Sequence, residues 1–437
     1  MTAELEKRLA ARLGRDVEGL VRLTGGASRE TWSFTAGGER LILRRDPPGT
    51  DRPAGMALEA RSIAAAERVG VPVPHLVDHG TDPDVLGAPF LITRHVDGET
   101  LARRLLRDER YAAVRPRLAA ELGRAVARVH RIPPAEVPGL QAREPLAHLR
   151  ATYDELGEPL PSVEIALHWL ARNRPADVPE TVVHGDFRNG NMIITEDGLA
   201  AVLDWEAVHR GDPREDLGWL CVKCWRFGEA PAVGGFGPLE DLLDGYAEVA
   251  GTRPDPEAVR WWQVYGTARW AVGCRAMAEF HLSGTTPSVE LVAIGRRVCE
   301  QEHDLFLALG HPAGDPTVEP AAPSDLHGRP TAAELLDAVA MFLREEVLPT
   351  PGRTGFHARV AANVVDTVAR EIALGPAQER AHARRLAAFG AADTAQLAAA
   401  IRTGLVDWAD PALLAAVRAD ITDRLRTANP KYLTFPG

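Results

Sequence analysis

No apolar run in this chain approaches the ~20 residues that a membrane-spanning helix requires, which argues against an integral helical membrane protein. Cysteine is scarce, at four in 437 residues. Apart from one close pair the four are widely spaced and give no disulfide framework, so the default compartment is a reducing cytoplasm. An excess of basic residues is also missing: 50 Lys and Arg stand against 61 Asp and Glu, a formal charge of −11. Phosphate backbones attract basic surfaces, so this balance speaks against general nucleic-acid binding. The opening Met1-Thr-Ala-Glu-Leu-Glu-Lys7 is a charged, amphipathic helix start and lacks the apolar core of a signal peptide. What is present is ordinary for a soluble globular protein, with 45% hydrophobic and 25% charged residues. The length exceeds one compact core, so two or three units are expected.

The cysteine pair, Cys221-Val-Lys-Cys224, lies in an apolar, helix-like run from Leu217 to Trp225. No second pair of Cys or His accompanies it, so buried helix cysteines are expected in preference to a metal or redox site.

The densest chemistry is His184-Gly-Asp186-Phe-Arg-Asn-Gly-Asn191, followed by Leu203-Asp204-Trp205. Phosphoryl transfer needs these residue types in this order. Asp186 can take the proton of an attacking hydroxyl, and Asn191 and Asp204 can hold a divalent ion on nucleotide phosphates. All the expected metal ligands are oxygens, which suits Mg²⁺. This loop, with the short hairpin and aspartate after it, resembles the signature of the aminoglycoside phosphotransferase-like family, small-molecule kinases with a protein-kinase-like fold. Two segments, Gly25-Gly-Ala-Ser-Arg-Glu-Thr-Trp32 and Asp204 to Trp219, are similar to the branch of that family associated with acyl-CoA dehydrogenases. The resemblance covers the N-terminus to about residue 310.

The N-terminal residues fit a nucleotide-covering lobe. Residues 1–20 read as a helix, Val21–Thr24 and Thr31–Thr35 as strands, and Gly37-Gly38 as a hairpin turn leading into a third strand, Arg40–Arg45. Gly25, Gly26 and Ser28 lie between strands, where glycines let backbone amides approach phosphate and a serine adds a hydroxyl. Leu41-Ile-Leu-Arg44 stands where kinases carry a strand lysine. Strand alternation puts Ile42 and Arg44 on one face, so Ile42 would touch adenine and Arg44 the phosphates, with Arg45 as the competing assignment. Arginine keeps its charge and offers a bidentate fork. Glu59, on the helix expected from Ala54 to Val69, is the partner for that cation, with Glu67 as its rival. Thr93-Arg94-His-Val96 is the expected hinge, whose backbone would meet the adenine edge.

Other residues receive plainer readings. His184 braces the loop, Arg188 touches phosphate or solvent, and Glu206 is a candidate to face substrate. Asp212 and Asp216 are expected to cap helices or hold backbone amides. His130 and the aromatic cluster Trp261, Trp262, Tyr265 and Trp270 read as packing.

The expected architecture is α+β: a bilobal protein-kinase-like fold plus a separate C-terminal all-α domain. Residues 1–98 form the small β-rich N-lobe, 99–310 the mainly helical catalytic C-lobe, 311–328 a proline-rich linker and 329–437 the helical domain. That last domain shows no catalytic constellation, and its expected role is packing or interaction, with a protein partner or a second copy as the contact. In it, Thr331 and Glu334 read as a capping box, and Phe356–Leu374 and Gln378–Phe389 as separate helices. The resemblance implies an ATP- and Mg²⁺-dependent kinase acting on a hydroxyl of a small molecule, and the branch implies a hydroxyacyl-CoA or related acid. The alternatives are an aminoglycoside or macrolide kinase, or a nucleotide-binding scaffold without transfer activity, kept open by arginine at position 44.

Overall fold

The computed structural model describes residues 2–23, 29–47, 53–312 and 328–436. Packing divides the chain into two compact units: residues 1–143 with 176–262, and residues 144–175 with 263–437.

The first unit opens with helix α1 (Thr2–Leu13) and an antiparallel five-stranded sheet. Its strands are β1 (Val17–Arg22), β2 (Glu30–Ala36), β3 (Glu39–Arg45), β4 (Leu76–Gly80) and β5 (Phe90–Arg94), in the order β1-β2-β3-β5-β4. The helix expected over residues 1–20 is shorter than the sequence suggested. Gly14 takes a left-handed φ of 64°, which ends the helix, and Val17 already pairs with Ala36. Alternation in β3 buries Leu41, Leu43 and Arg45 on one face and half-buries Ile42 and Arg44 on the other. The buried face joins Leu5 and Leu9 of α1 with Trp32, Phe34, Phe90 and Ile92 in one core. Helix α2 (Pro53–Arg68) packs on β4 and β5 and also against the turn Trp205–Ala207.

The rest of this unit is mainly helical around two short strand pairs. Strands β6 (Thr181–Val183) and β9 (His209–Gly211) pair, as do β7 (Met192–Ile194) and β8 (Leu199–Val202). Behind them, the helix Arg115–Val129 buries Leu118, Leu122, Val126 and Val129 against Leu242, Leu243 and Tyr246 of the helix Leu239–Ala250. Cys221 is buried here and Cys224 partly so. Burial pushes the Cys221 thiol up to about 12, far from the thiolate that redox or metal chemistry uses.

The second unit is helical. Ile165, Cys299, Phe306, Leu386, Leu397, Ile401, Leu413, Val417, Ile421 and Leu425 share one core, which draws on helices from both sides of residues 311–328. Polar ties follow the same pattern: Arg402 donates to Glu164 at 2.6 Å and Tyr432 to Asp304 at 2.6 Å. The capping box of Thr331 and Glu334 is present. The two helices expected on either side of Pro376 are one, Arg353–Ala387. A proline removes one helical hydrogen bond, but here both sides are anchored to the helix Pro411–Ala428. Arg370 donates to the Thr427 carbonyl at 2.7 Å, and Gln378 to that of Asp423 at 2.8 Å. Among the described residues no helix is long and apolar enough to cross a membrane.

Candidate active site

The site begins with the two arginines that end β3. Because successive side chains alternate, they cannot share a face. Arg45 turns into the α1 side, where it donates to Glu30 at 2.7 Å and to the Leu86 carbonyl at 2.7 Å. Arg44 takes the other face. One branch of its fork donates to Glu59 of α2 at 2.6 Å, and the other to Asp204 at 2.9 Å. Glu67, the alternative on α2, is exposed and bonded to His75. Glu59 is fully buried, and its second oxygen accepts from Arg29. Arg29 also donates to Asp46 at 3.0 Å and stands 3.8 Å from Glu206.

The electrostatics follow from this crowding. Burial works against the charge of Arg29 and Arg44, but the Glu59 carboxylate and, for Arg44, Asp204 outweigh it, so both guanidinium pKa values lie above the ordinary one. Burial, together with the neighbouring Asp204, raises Glu206 above the usual carboxylate range, against the pull of Arg29 and Arg44.

The loop between β6 and β7 is held from the side. Asp216, in the helix Arg214–Leu220, is fully buried. It accepts the backbone N–H of His184 at 2.8 Å and of Gly185 at 2.9 Å, and the His130 ring at 3.1 Å. Burial alone would raise this carboxyl, but the bonds from His130 and the loop amide hold it below its ordinary value. The other His130 nitrogen meets the Tyr246 hydroxyl at 3.0 Å. His184 Nε2 donates to the Leu203 carbonyl at 3.1 Å, and its Nδ1 accepts the Asp186 N–H at 3.2 Å. That pattern fits a neutral ring, and burial lowers the His184 pKa in the same direction. Gly185 has a φ of 80°, and a Cβ there would come within 2.4 Å of the Ala207 carbonyl oxygen, so no larger residue fits. His209 bonds that same carbonyl at 3.0 Å and Glu215 at 3.1 Å. Burial opposes its charge, but the hydrogen bond to Glu215 prevails and raises its pKa.

The loop thereby presents Asp186 with both oxygens engaged. Oδ1 accepts from Trp219 Nε1 at 2.8 Å and from Arg188 Nε at 3.0 Å. Oδ2 accepts from Asn191 Nδ2 at 2.5 Å. The Arg188 guanidinium lies 4.3 Å over the Trp225 ring. The Asn191 carbonyl accepts from the Leu203 amide at 2.8 Å, which sets Asn191 beside the backbone leading into Asp204. Asp204 itself has a left-handed φ of 66°.

These positions bear on the residues singled out from sequence. The structure brings Arg44, Glu59 and Asp204 into one bonded cluster, and Asp186 and Asn191 into another beside it. Ile42 shares the Arg44 face and pairs with Thr93 across the sheet. The Arg94 side chain is exposed and held by Glu39 at 2.5 Å, while its amide is used by His75. Val96 follows two residues later and is half-buried. Gly25, Gly26 and Ser28 lie outside the described residues. Asp212 and Asp216 do hold backbone amides, at Arg214 and in the loop. Sequence reasoning missed Arg29, Asp46 and Trp219. An arginine after a glycine-rich segment and a tryptophan in an apolar helix carry no signal of where their polar atoms point.

The donor set fits a hard cation. Asn191 spends its amide nitrogen on Asp186, which leaves its oxygen as the ligand atom, and Asp204 has a carboxylate oxygen beyond the one bonded to Arg44. Among the described residues no group of three or more His, Cys, Asp or Glu could hold a metal ion. Phosphate oxygens and water would therefore complete a six-coordinate shell, as Mg²⁺ usually requires.

A family profile described as "Phosphotransferase enzyme family" matches residues 19–262, and one described as a domain of unknown function (DUF6285) matches residues 349–432. Mouse acyl-CoA dehydrogenase family member 10 is 27% identical over 252 residues, 53% of this chain and 23% of the relative. Chicken acyl-CoA dehydrogenase family member 11 is 30% identical over 213 residues, 45% of this chain and 27% of the relative. The chain thus spans about a quarter of the length of these curated relatives. A spectinomycin phosphotransferase solved with ADP and spectinomycin aligns with a TM-score of 0.52 at 11% identity, over 71% of this chain and 98% of that one. At that identity the likeness concerns the fold.

Proposed function

This chain belongs to the phosphotransferase enzyme family, and we propose that it moves the terminal phosphoryl group of ATP to a hydroxyl of a small molecule. The observation that carries the reading is the bonded group Arg44, Glu59 and Asp204, with Asp186 and Asn191 adjoining through the Leu203 amide. A cation, an acidic helix partner and two oxygen ligands are what a nucleotide triphosphate with its metal needs, and a carboxylate next to them is what an alcohol needs.

In this reading Arg44 binds phosphate with the fork branch now on Asp204. Glycines 25 and 26 and Ser28 cover the phosphates. Ile42 packs on adenine, and the edge of that ring is read by the Arg94 carbonyl and the Val96 amide, because the Arg94 and His95 amides already serve the sheet. Asn191 and Asp204 are the residues that would hold Mg²⁺, and the ion would supply positive charge to offset that of the phosphates. Asp186 orients the acceptor hydroxyl and takes its proton late in a loose transition state. Oδ1 takes two donors, Trp219 and Arg188, and Oδ2 takes one, Asn191, so Oδ2 is the oxygen with acceptor capacity left for the hydroxyl.

The acceptor is proposed to be a hydroxylated acid or its CoA thioester. Two observations support this class. The curated relatives are acyl-CoA dehydrogenase family members. The charged group touching Asp186 is Arg188, which would attract an anionic acceptor and repel a polycationic aminoglycoside. The test is transfer from labelled ATP to a panel of hydroxy acids, hydroxyacyl-CoA thioesters and aminoglycosides, with wild type and Asp186→Ala. Transfer to an acid or thioester by wild type alone supports the reading. Transfer restricted to aminoglycosides overturns the acceptor class, and ATP binding without any transfer favours the scaffold.

A further inference from the structure

Two donors of different character meet on one oxygen of Asp186. Trp219 Nε1 reaches Oδ1 at 2.8 Å and Arg188 Nε reaches it at 3.0 Å. Arg188 is charged, sits on a long flexible stem and keeps about a quarter of its side chain exposed. Trp219 is neutral, rigid and buried.

The helix Arg214–Leu220 explains why the indole is there. Asp216 and Trp219 are one turn apart, so they share a face of that helix. This face meets the loop twice. Asp216 accepts the amides of His184 and Gly185, and Trp219 donates to the side chain of Asp186. One rigid element therefore fixes both the loop backbone and the aim of its carboxylate. Trp219 is braced in turn: its ring meets Trp225 edge-on, with centroids 5.2 Å apart at 64°. Trp225 carries the Arg188 guanidinium at 4.3 Å. Asp186, Trp219, Trp225 and Arg188 thus close a circuit, and the carboxylate cannot rotate without breaking it.

A proton acceptor has to be aimed without being weakened. A cationic donor aims a carboxylate but also stabilises its charged form, which makes it a poorer base. An indole N–H aims it and adds no charge. We propose that Trp219 is a positioning residue whose N–H sets the rotation of the Asp186 carboxylate, so that Oδ2 is presented to the acceptor hydroxyl. This rests on the phosphoryl-transfer reading of the site. It assigns Trp219 no contact with nucleotide or acceptor.

The test is turnover of labelled ATP with Mg²⁺ by the full-length protein, with water standing in for the acceptor hydroxyl. AMP-PNP binding by titration calorimetry and thermal unfolding are measured in parallel. Trp219→Phe keeps an aromatic ring against Trp225 and loses the donor. Its kcat should fall by about ten- to a hundredfold, the cost of a misaimed reacting group, with AMP-PNP affinity within about twofold of wild type. In an Asp186→Asn background the same substitution should change the residual rate by less than about threefold, because the carboxylate it aims is gone. A residue that only supports the fold predicts equal proportional losses in both backgrounds, and that result overturns the proposal. So does a Trp219→Phe kcat within about threefold of wild type, or a loss of AMP-PNP affinity as large as the loss of kcat. If Trp219→Phe shows no cooperative unfolding, β-(3-benzothienyl)alanine installed at position 219 replaces it. Its sulfur takes the place of the N–H in a ring of the same shape, and the same outcomes are read. Each of these results leaves the catalytic reading of Asp186 intact. Wild type without ATP turnover, or Asp186→Asn as fast as wild type, removes that reading, and this inference falls with it.

Discussion

Arg44 and Asp204 are 160 positions apart in sequence and 2.9 Å apart in space. The bond joins the sheet to the turn after β8, and it uses the branch of the arginine fork that Glu59 leaves over. Lysine has one ammonium and could not reach both carboxylates in the same way. Arginine at a position where kinases carry lysine is therefore consistent with a working site.

The first prediction concerns that fork. Arg44→Met should weaken AMP-PNP binding by about 2 kcal/mol or more, the scale of a lost charge-assisted hydrogen bond. Arg44→Lys should fall between the variant and wild type. Calorimetric titration of the three proteins decides it, and equal affinities would remove Arg44 from the nucleotide site.

Asp186→Asn keeps the shape and loses the proton acceptor. Transfer to the acceptor should slow by about 100- to 10,000-fold. AMP-PNP affinity should change little, since the residue is assigned to the hydroxyl. A variant with normal turnover at saturating substrate would show that the loop aspartate is structural.

Metal dependence separates Asp204 from Arg44. Asp204→Asn should abolish most of the gain in nucleotide affinity that Mg²⁺ brings, and chelation should do the same to wild type. If titrations with and without Mg²⁺ give one affinity for wild type, the oxygen pair at Asn191 and Asp204 holds no metal.

Asp216 is expected to matter for stability. Asp216→Ala leaves two buried backbone N–H groups and His130 without their acceptor, a loss of about 3 kcal/mol or more in denaturant unfolding. Its folded pKa is lowered. The wild-type advantage is therefore present above the unfolded value of about 3.9 and disappears as pH falls through the lower folded one. An advantage that persists unchanged at low pH would contradict the assignment.

His209 carries the opposite sign. Its folded pKa is raised, so its stabilisation is complete below the unfolded value of about 6.5 and is lost as pH rises through the folded one. The stability difference between wild type and His209→Gln should be largest near pH 6, about 1 kcal/mol, and shrink in alkaline buffer. A difference that grows with pH would mean the ring is neutral in the folded protein.

Much of this was legible in the sequence, for a physical reason. Alternation fixes that the two arginines of β3 take opposite sides, and the spacing of Asp186, Asn191 and Asp204 fixes a loop and hairpin of known length. The choice between Arg44 and Arg45 was not legible, because it depends on which face α1 covers. The end of α1 was missed because the leading residues are amphipathic enough to continue a helix and only Gly14 interrupts them. The single helix through Pro376 was unreadable, since its support comes from carbonyls more than forty positions away. Arg29 and Trp219 were silent for the same reason: both act through atoms that meet partners only after the chain has folded.

The grip of Asp216 on His184 and Gly185 has an implication for the order in which the protein is made. The segment from 184 to 191 leaves the ribosome before residue 216 does, and its first two amides wait for an acceptor some thirty positions behind them. A nascent chain stalled between those points owns every residue of the loop and none of its clamp. Ribosome-bound chains lengthened step by step should gain protease resistance around Asp186 only once the helix Arg214–Leu220 has emerged.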